Sequence, residues 1–407
     1  MISLVRRRIG WVAAAVPLLA GAAAGHAGEL SWSAEVASEI RIFPYRPEFP
    51  RQDNDALVPS ISAEPEIVYE WNDRNDRFTF VPFARLDAGD DARSHVDVRE
   101  ANWLHLDDDW DLVVGVAKVY WGVTESRHLV NIINQTDGVE DVDEEDKLGQ
   151  PMVNGNINTD WGTFGAFVLA GFRERTFPDV DARLGGPLRI DDDNATYDSG
   201  AEERHVDFAA RWRKTFGDWD IGLSEFVGTS REPRLIASSR NGESVLVPHY
   251  DQIDQTGLDL QFTGEATLWK LEAIARGGHG DRFFAAVGGL EHTFFGAFDT
   301  NADIGLLAEY LYDGRDEVSA PATSADDDIF LATRLTLNDE QDTALLAGVI
   351  VDRDTQATLL TIEAERRLGD SWKLELESRL FINVPSDDPI AAVRNDDFIT
   401  LRLTRYF

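Results

Sequence analysis

The sequence predicts an all-β fold, a closed antiparallel transmembrane β-barrel of about 18 strands, with 16 as the alternative, carrying short turns on one rim and long loops on the other. Three observations carry that prediction. Segment after segment alternates apolar and polar residues with a period of two. The links between segments alternate short and long. Beyond the N-terminal region, no stretch reaches the roughly 18 uncharged apolar residues that a membrane helix needs.

The alternation is clearest near the C-terminus. In Trp372–Asn383, Trp372, Leu374, Leu376, Leu380 and Ile382 share one face, and Lys373, Glu375, Glu377, Arg379 and Asn383 share the other. In Asp328–Leu337, Ile329, Leu331, Leu335 and Leu337 oppose Asp328, Arg334 and Thr336. Trp269, Leu271, Ala273 and Ala275 oppose Lys270, Glu272 and Arg276, and Val206, Phe208, Ala210 and Trp212 oppose His205, Asp207, Arg211 and Arg213.

The predicted strands are 30–43, 58–71, 78–88, 95–107, 110–122, 152–159, 162–176, 203–216, 218–229, 250–264, 266–277, 282–296, 298–312, 327–338, 341–352, 355–368, 371–383 and 397–407. Every second link is short. The others include 44–57, 123–151, 177–202, 230–249, 313–326 and 384–396. A soluble sandwich has no reason to gather its long loops at one end, whereas a bacterial outer-membrane barrel does. Hydrocarbon offers no partner to a free N–H or C=O, so a sheet in lipid must close on itself. Tyr69, Trp71, Trp110, Trp121, Trp161, Trp219, Tyr310, Tyr312 and Tyr406 fall near strand ends, where interfacial aromatic girdles form.

The N-terminus predicts export. Arg6, Arg7 and Arg8 precede the apolar run Ile9 to Ala24, and Gly25 and Ala27 are small residues ahead of a cut before Gly28. Residues 1–27 thus read as a signal peptide and 28–407 as a single barrel domain, placed in the outer membrane of a Gram-negative bacterium. Removing those arginines leaves 35 Lys and Arg against 74 Asp and Glu, a formal charge of −39. A chain so acidic does not seek nucleic acid; it attracts cations, or simply keeps long loops hydrated. With no cysteine, thiol chemistry and cysteine metal sites are excluded.

The chain ends in the alternating Phe398-Ile-Thr-Leu-Arg-Leu-Thr-Arg-Tyr-Phe407, with Ile399, Leu401, Leu403 and Phe407 on one face. With the signal peptide and the strand-and-loop rhythm, this resembles the porin-like outer-membrane barrels of Gram-negative bacteria. The resemblance implies a passive diffusion channel, often a homotrimer, with one loop folded into the lumen. It also implies a C-terminal strand read by the barrel assembly machinery, with lipid and lipopolysaccharide around the barrel. With 18 strands the lumen is wide enough for water, as in porins of 16–18 strands.

The longest loop, 123–151, follows the fifth strand and is the candidate constriction. Its first half carries Leu129, Val130, Ile132 and Ile133, which are wasted in solvent, so it is expected to pack on the inner wall as a short helix or turn. Its candidate selectivity residues are Glu125, Arg127, Asp137, Glu140, Asp141, Asp143, Glu144, Glu145 and Asp146. Carboxylates at a constriction favour cations; the alternative is a solvated outer loop. The candidate lumen wall comprises Lys270, Glu272, Arg276, Arg334, Glu363, Glu365, Arg367, Lys373, Glu375, Glu377, Arg379 and Arg402. Such rows set a transverse field or serve as ordinary cross-strand pairs.

Acidic clusters at Asp53-Asn-Asp55, Asp191-Asp-Asp-Asn194 and Asp326-Asp-Asp328 suit weak calcium or magnesium binding. No resident cofactor is expected. His128 beside Ser126, and His205 beside Asp207, are the bases a surface hydrolase would use, but no lipase elbow, zinc signature or paired-carboxylate motif accompanies them. The functional expectation is therefore a channel passing small hydrophilic solutes by diffusion and favouring cations. A hydrolase barrel and a structural or adhesive barrel with partner-binding loops are the alternatives.

Overall fold

The computed structural model describes residues 28–407; the signal peptide expected over 1–27 lies outside the described residues. Twenty-two strands follow in chain order: β1 (Glu29–Ile42), β2 (Leu57–Trp71), β3 (Asp76–Asp87), β4 (Val96–Leu106), β5 (Trp110–Ala117), β6 (Gln150–Thr159), β7 (Gly162–Ala170), β8 (Arg189–Ile190), β9 (Thr196–Tyr197), β10 (Val206–Phe216), β11 (Trp219–Thr229), β12 (Arg234–Arg240), β13 (Glu243–Tyr250), β14 (Gln252–Thr263), β15 (Thr267–Gly278), β16 (Gly280–Phe294), β17 (Asp303–Asp313), β18 (Asp327–Thr336), β19 (Ala344–Asp352), β20 (Thr358–Arg367), β21 (Trp372–Ile382) and β22 (Phe398–Tyr406). Eighteen of them form one sheet. Each pairs antiparallel with the next, and β22 returns to β1 in a register running from Glu35 opposite Tyr406 to Ile42 opposite Ile399. No edge strand is left, as an apolar solvent demands.

The two faces follow the predicted alternation. On β18, Ile329 and Leu331 point outward and are exposed, while Phe330 and Ala332 are buried inside. On β21, Trp372 and Leu374 face out, and Arg379 is buried on the inner side. Trp32, Phe208, Leu223, Trp269, Leu306, Leu331 and Leu403 lie exposed on an apolar outer belt. An outer surface of this kind around a closed sheet is made for lipid. The chain folds as a closed 18-stranded antiparallel transmembrane β-barrel.

Several expected boundaries move, each for a local reason. The fifth strand ends at Ala117 rather than 122, because the Asn134 side chain takes the Val119 N–H at 2.8 Å and turns the chain inward. The seventh ends at Ala170 rather than 176, before Gly171 at φ 77°. The strand expected from 298 begins at Asp303, after a turn holding Phe298 and Asp299 at positive φ. Link 230–249, read as open loop, contains the hairpin β12–β13 turning on Asn241-Gly242, and β8 and β9 add to it in parallel. Two aromatics leave the expected girdle. Trp121 is buried in the lumen with its ring 5.5 Å from Phe167. Tyr406 shares the inner face of Arg402, opposite Glu35.

The interior is not a uniformly polar tube. On β7, β11 and β14–β18, Phe167, Leu169, Phe226, Ile253, Ile274, Phe283, Val287, Leu307, Leu311 and Phe330 point inward and form one core with Leu129, Val130, Ile132 and Ile133 of the long loop. These wall segments are apolar on both faces because one meets lipid and the other meets the loop.

Candidate functional site: the inward loop and its two walls

The segment between β5 and β6, residues 118–149, crosses the lumen. Its fold is set first by its own amides. Asn134 Nδ2 donates to the Ala117 and Leu148 carbonyls at 2.9 Å, and Asn131 Oδ1 accepts from the Trp121 N–H at 2.6 Å. These asparagines satisfy backbone groups that a non-helical segment would otherwise bury unpaired. The first half forms turns and no helix.

Two wall carboxylates then anchor that half. Glu272 on β15 accepts from the Val123 N–H at 2.6 Å, the Thr124 N–H at 3.1 Å and the Val130 N–H at 3.1 Å. Glu309 on β17 accepts from the Glu125 and Ser126 N–H groups at 2.9 and 2.8 Å, and from the Ser126 hydroxyl at 2.6 Å. A buried carboxylate holding several amides is a strong, directional tether. Glu125 in turn meets Arg334 at 2.9 Å and Lys270 at 3.7 Å, and Arg127 donates to Thr323 at 2.7 Å.

The acidic half lies against the opposite wall, where arginines receive it. Glu140 meets Arg85 at 2.7 Å and His95 at 2.8 Å, and Arg41 donates to the Glu140 carbonyl at 2.6 Å. Asp137 meets Arg99 at 2.6 Å and Asp141 meets Arg41 at 3.4 Å. Behind them the buried Glu39 of β1 gathers Arg93 and Arg402 at 2.8 Å, Arg85 at 3.3 Å and Arg41 at 3.6 Å. Burial pushes the Glu140 carboxyl up, but His95, Arg85 and Arg93 outweigh it and hold the group down at about 2.

The expectation that the whole acidic run faces the pore is therefore corrected: Asp137, Glu140 and Asp141 are spent on arginines of the wall. Asp143, Glu144, Glu145 and Asp146 are exposed to the lumen. Asp143 reaches Arg379 of β21 at 2.9 Å and Glu144 reaches Arg175 at 2.8 Å. Protein crowded around the still-accessible groups, with Glu140 and Asp141 nearby, raises Asp146 to about 6, and the same crowding beside Asp141 raises Asp143 as well. His128 sits between Glu145 at 3.1 Å and Glu272 at 3.6 Å, and although burial opposes its charge, those two carboxylates lift it to about 9.

The remaining wall residues take separate places. Arg276 is buried on Gln255 and Glu232. Glu363, Glu365, Lys373, Glu375, Glu377 and Arg379 line β20 and β21, and the register sets Glu363 opposite Glu377 and Glu365 opposite Glu375. Two strands on, Glu35 of β1 stands opposite Glu64 of β2. Arg379 bridges Glu363 and Glu377 at 2.8 and 2.6 Å, and Lys373 bridges Glu365 and Glu375 at 2.7 and 3.0 Å. Arg367 leaves this ladder for Asp342 at the turn, 3.0 Å away. The arginines of the loop-facing wall, Arg41, Arg85, Arg93 and Arg99, were missed in the sequence; the signal for three of them is that β1, β3 and β4 each carry one on the inward face, and Arg93 comes from the link between β3 and β4.

Of the two hydrolase pairs, Ser126 and His128 turn to other partners, and His205 and Asp207 meet at 2.8 Å with the carboxylate shared with an arginine. The Ser126 hydroxyl goes to Glu309, His128 bonds Tyr120 at 2.9 Å, and His205 bonds Asp207, which Arg231 also grips at 2.6 Å. Of the acidic clusters, Asp191 is taken by Arg189 and Arg240 at 3.0 and 3.2 Å.

No protein-family model and no curated protein matches the chain. Among solved structures it is similar to Wzi, described as an outer-membrane protein involved in group 1 capsule assembly in Escherichia coli and a carbohydrate-binding β-barrel. The identity is 11%, the TM-score is 0.53, and the match covers 91% of this chain and 83% of that one. It also aligns with OmpT, an outer membrane protein of Vibrio cholerae in its trimer form, at 11% identity and TM-score 0.45 over 94% and 100% of the two chains. A triple mutant of Rhodopseudomonas blastica porin aligns at 13% identity and TM-score 0.44 over 93% and 100%. The likeness to Wzi is one of fold.

Proposed function

We propose that the barrel is a narrow channel for passive diffusion of small hydrophilic solutes, favouring cations, with loop 118–149 as its constriction. The water path runs along the wall of β20–β22, β1 and β2, opposite the side that the loop's apolar half fills. One observation carries the reading: three carboxylate pairs stand directly opposite one another on that stretch, Glu363 with Glu377, Glu365 with Glu375 and Glu35 with Glu64. Like charges at facing positions cost stability; Arg379 and Lys373 offset one charge in each of the first two pairs, and the net negative wall that remains supplies the focused field that selects cations. On this reading the outer rim meets lipopolysaccharide, β22 is the strand handed to the assembly machinery, and the barrel works as a homotrimer. Planar-bilayer recording of the refolded protein tests it. Open steps with a reversal potential displaced toward the cation potential are expected; silence overturns the channel, and an unselective step overturns the cation preference.

A second reading rests on the loop being tethered to both walls. A barrel so bridged serves as a surface module whose outer loops bind envelope carbohydrate, the ligand class in the description of Wzi. Silence in the bilayer together with retention on an immobilised capsular polysaccharide would favour it.

A further inference from the structure

At the long-loop rim, three separate stretches bring Asp198, His249, Asp251 and His279 together. Asp198 follows β9, His249 and Asp251 lie at the end of β13, and His279 is the single residue between β15 and β16. His249 Nε2 lies 3.2 Å from Asp198 Oδ1 and 3.5 Å from Asp251 Oδ1. The three ligand atoms all fall within 4.8 Å of one another. Ligands bound about 2.0–2.2 Å from a tetrahedral zinc stand roughly 3.3–3.5 Å apart, so two of these separations are already those of a coordination shell.

The imidazole is oriented for that task. Thr196 Oγ1 lies 2.9 Å from His249 Nδ1, and its own hydroxyl points to the Pro248 carbonyl at 3.4 Å. The threonine oxygen is thus free to accept from Nδ1–H, which leaves the Nε2 lone pair between two carboxylates. A metal-bound histidine is held in this way through its other nitrogen. Arg234 grips Asp251 at two points, Nε donating to Oδ2 at 2.8 Å and Nη2 to Oδ1 at 2.5 Å, and so fixes the carboxylate plane while leaving each oxygen one further lone pair.

His279 is the independent sign of a missing group. It is 1% exposed, neither ring nitrogen has a hydrogen-bond partner, and Nε2 points at Asp251 Oδ2 from 3.6 Å. A buried polar side chain without a partner is rare and costly. Two other trios of metal-ligand residues occur among the described residues, and in both every carboxylate is paired with an arginine, whereas here Arg234 holds Asp251 and no arginine reaches Asp198. Arg85 and Arg99 occupy His95–Asp137–Glu140, and Arg41 and Arg379 occupy Asp141–Asp143–Glu377. Among the described residues, Asp198 makes its only ion pair with His249.

We propose that Asp198, His249 and Asp251 form a binding site for a divalent cation of the zinc class, with His279 as the group available for the fourth position. Imidazole nitrogen with two carboxylates suits zinc; calcium takes six to eight oxygens, which this cluster does not offer. The bound ion fastens β9, β13 and the β15–β16 turn to one another, whatever passes through the lumen.

Isothermal titration of the refolded full-length barrel in detergent, after removal of metal with a chelator, tests the site. One zinc per chain is expected, with calcium failing to saturate the same site. Asp198→Asn and His249→Ala are each expected to weaken zinc binding on the order of tenfold or more, and His279→Ala to weaken it less. Heat-modified mobility on a gel reports whether each variant is a folded barrel, with His249→Gln replacing any alanine variant that is not. Zinc binding undiminished in the folded His249 variant, or equal saturation by calcium, overturns the proposal.

Discussion

Arg85 of β3 and Glu140 of the inward loop meet at 2.7 Å with side chains only 3% and 4% exposed. Both are almost wholly shielded from water, so loss of either is only partly offset by Glu39 beside Arg85 and His95 beside Glu140. Replacing Glu140 by Ala would leave Arg85 with Glu39 as its one remaining carboxylate, so the cost should fall below the about 3–5 kcal/mol of a buried charge stripped of its sole partner. The acidic half of the loop is expected to leave the wall, and single-channel conductance to rise. An unchanged step size would show that this contact does not set the pore.

Glu272 holds the other half of the loop. In Glu272→Ala three backbone N–H groups, of Val123, Thr124 and Val130, lose their acceptor, each at about 1–3 kcal/mol when it stays buried. Limited proteolysis should cut within 118–149 several times faster than in the parent, while the heat-shifted gel mobility of the barrel persists. Equal cleavage rates would count against Glu272 as the tether.

Alkaline pH should loosen the same contact by a different route. His128 is lifted to about 9, above its ordinary value of about 6.5. Its contribution is therefore fully present below about pH 6.5 and is lost as the pH rises through 9. Loop cleavage or current noise should grow between neutral pH and about pH 10, and His128→Gln should abolish that dependence.

Cation preference is expected to depend on mild acid. Asp146 titrates near 6 because protein surrounds it and Glu140 and Asp141 lie nearby, and Asp143 is raised too. Between about pH 5 and about pH 8 both carboxylates acquire charge, so reversal potentials should shift further toward the cation value. In Asp146→Asn the shift should shrink.

A test of the lipid-facing surface is independent of any channel. Leu331 lies outward on β18, 51% exposed. Leu331→Arg should cost about 2–4 kcal/mol of folding free energy if it lies near the bilayer midplane, measured by denaturant titration in lipid vesicles. A cost near zero would place this face away from hydrocarbon.

Much of this was legible in the residues, and the limits have physical causes. The period-two face of Ile329, Leu331 and Leu335 needs only local order, and it was read correctly. So were the apolar loop residues Leu129, Val130, Ile132 and Ile133, because four such side chains in a row of polar neighbours must be covered. Their cover was harder to read. Phe283, Val287, Leu307 and Phe330 face inward, and strands apolar on both sides lose the alternation that marks a face. The anchors Glu272 and Glu309 depend on which strand stands opposite a loop far away in sequence, which no local pattern carries. The β12–β13 hairpin had its signal in Asn241-Gly242, a dipeptide suited to tight hairpins, inside a stretch read as loop for its length.

Closure of the sheet through β1 and β22 has a bearing on the order of assembly. Loop 118–149 is bound on one side to β15 and β17 and on the other to β1, β3 and β21, strands separated by most of the chain. Its two sets of bonds can form only once β1, β3, β15, β17 and β21 stand in place around it, so the loop is fastened late. Weakening its anchors should then alter how fast the finished barrel appears, even where the finished barrel is the same.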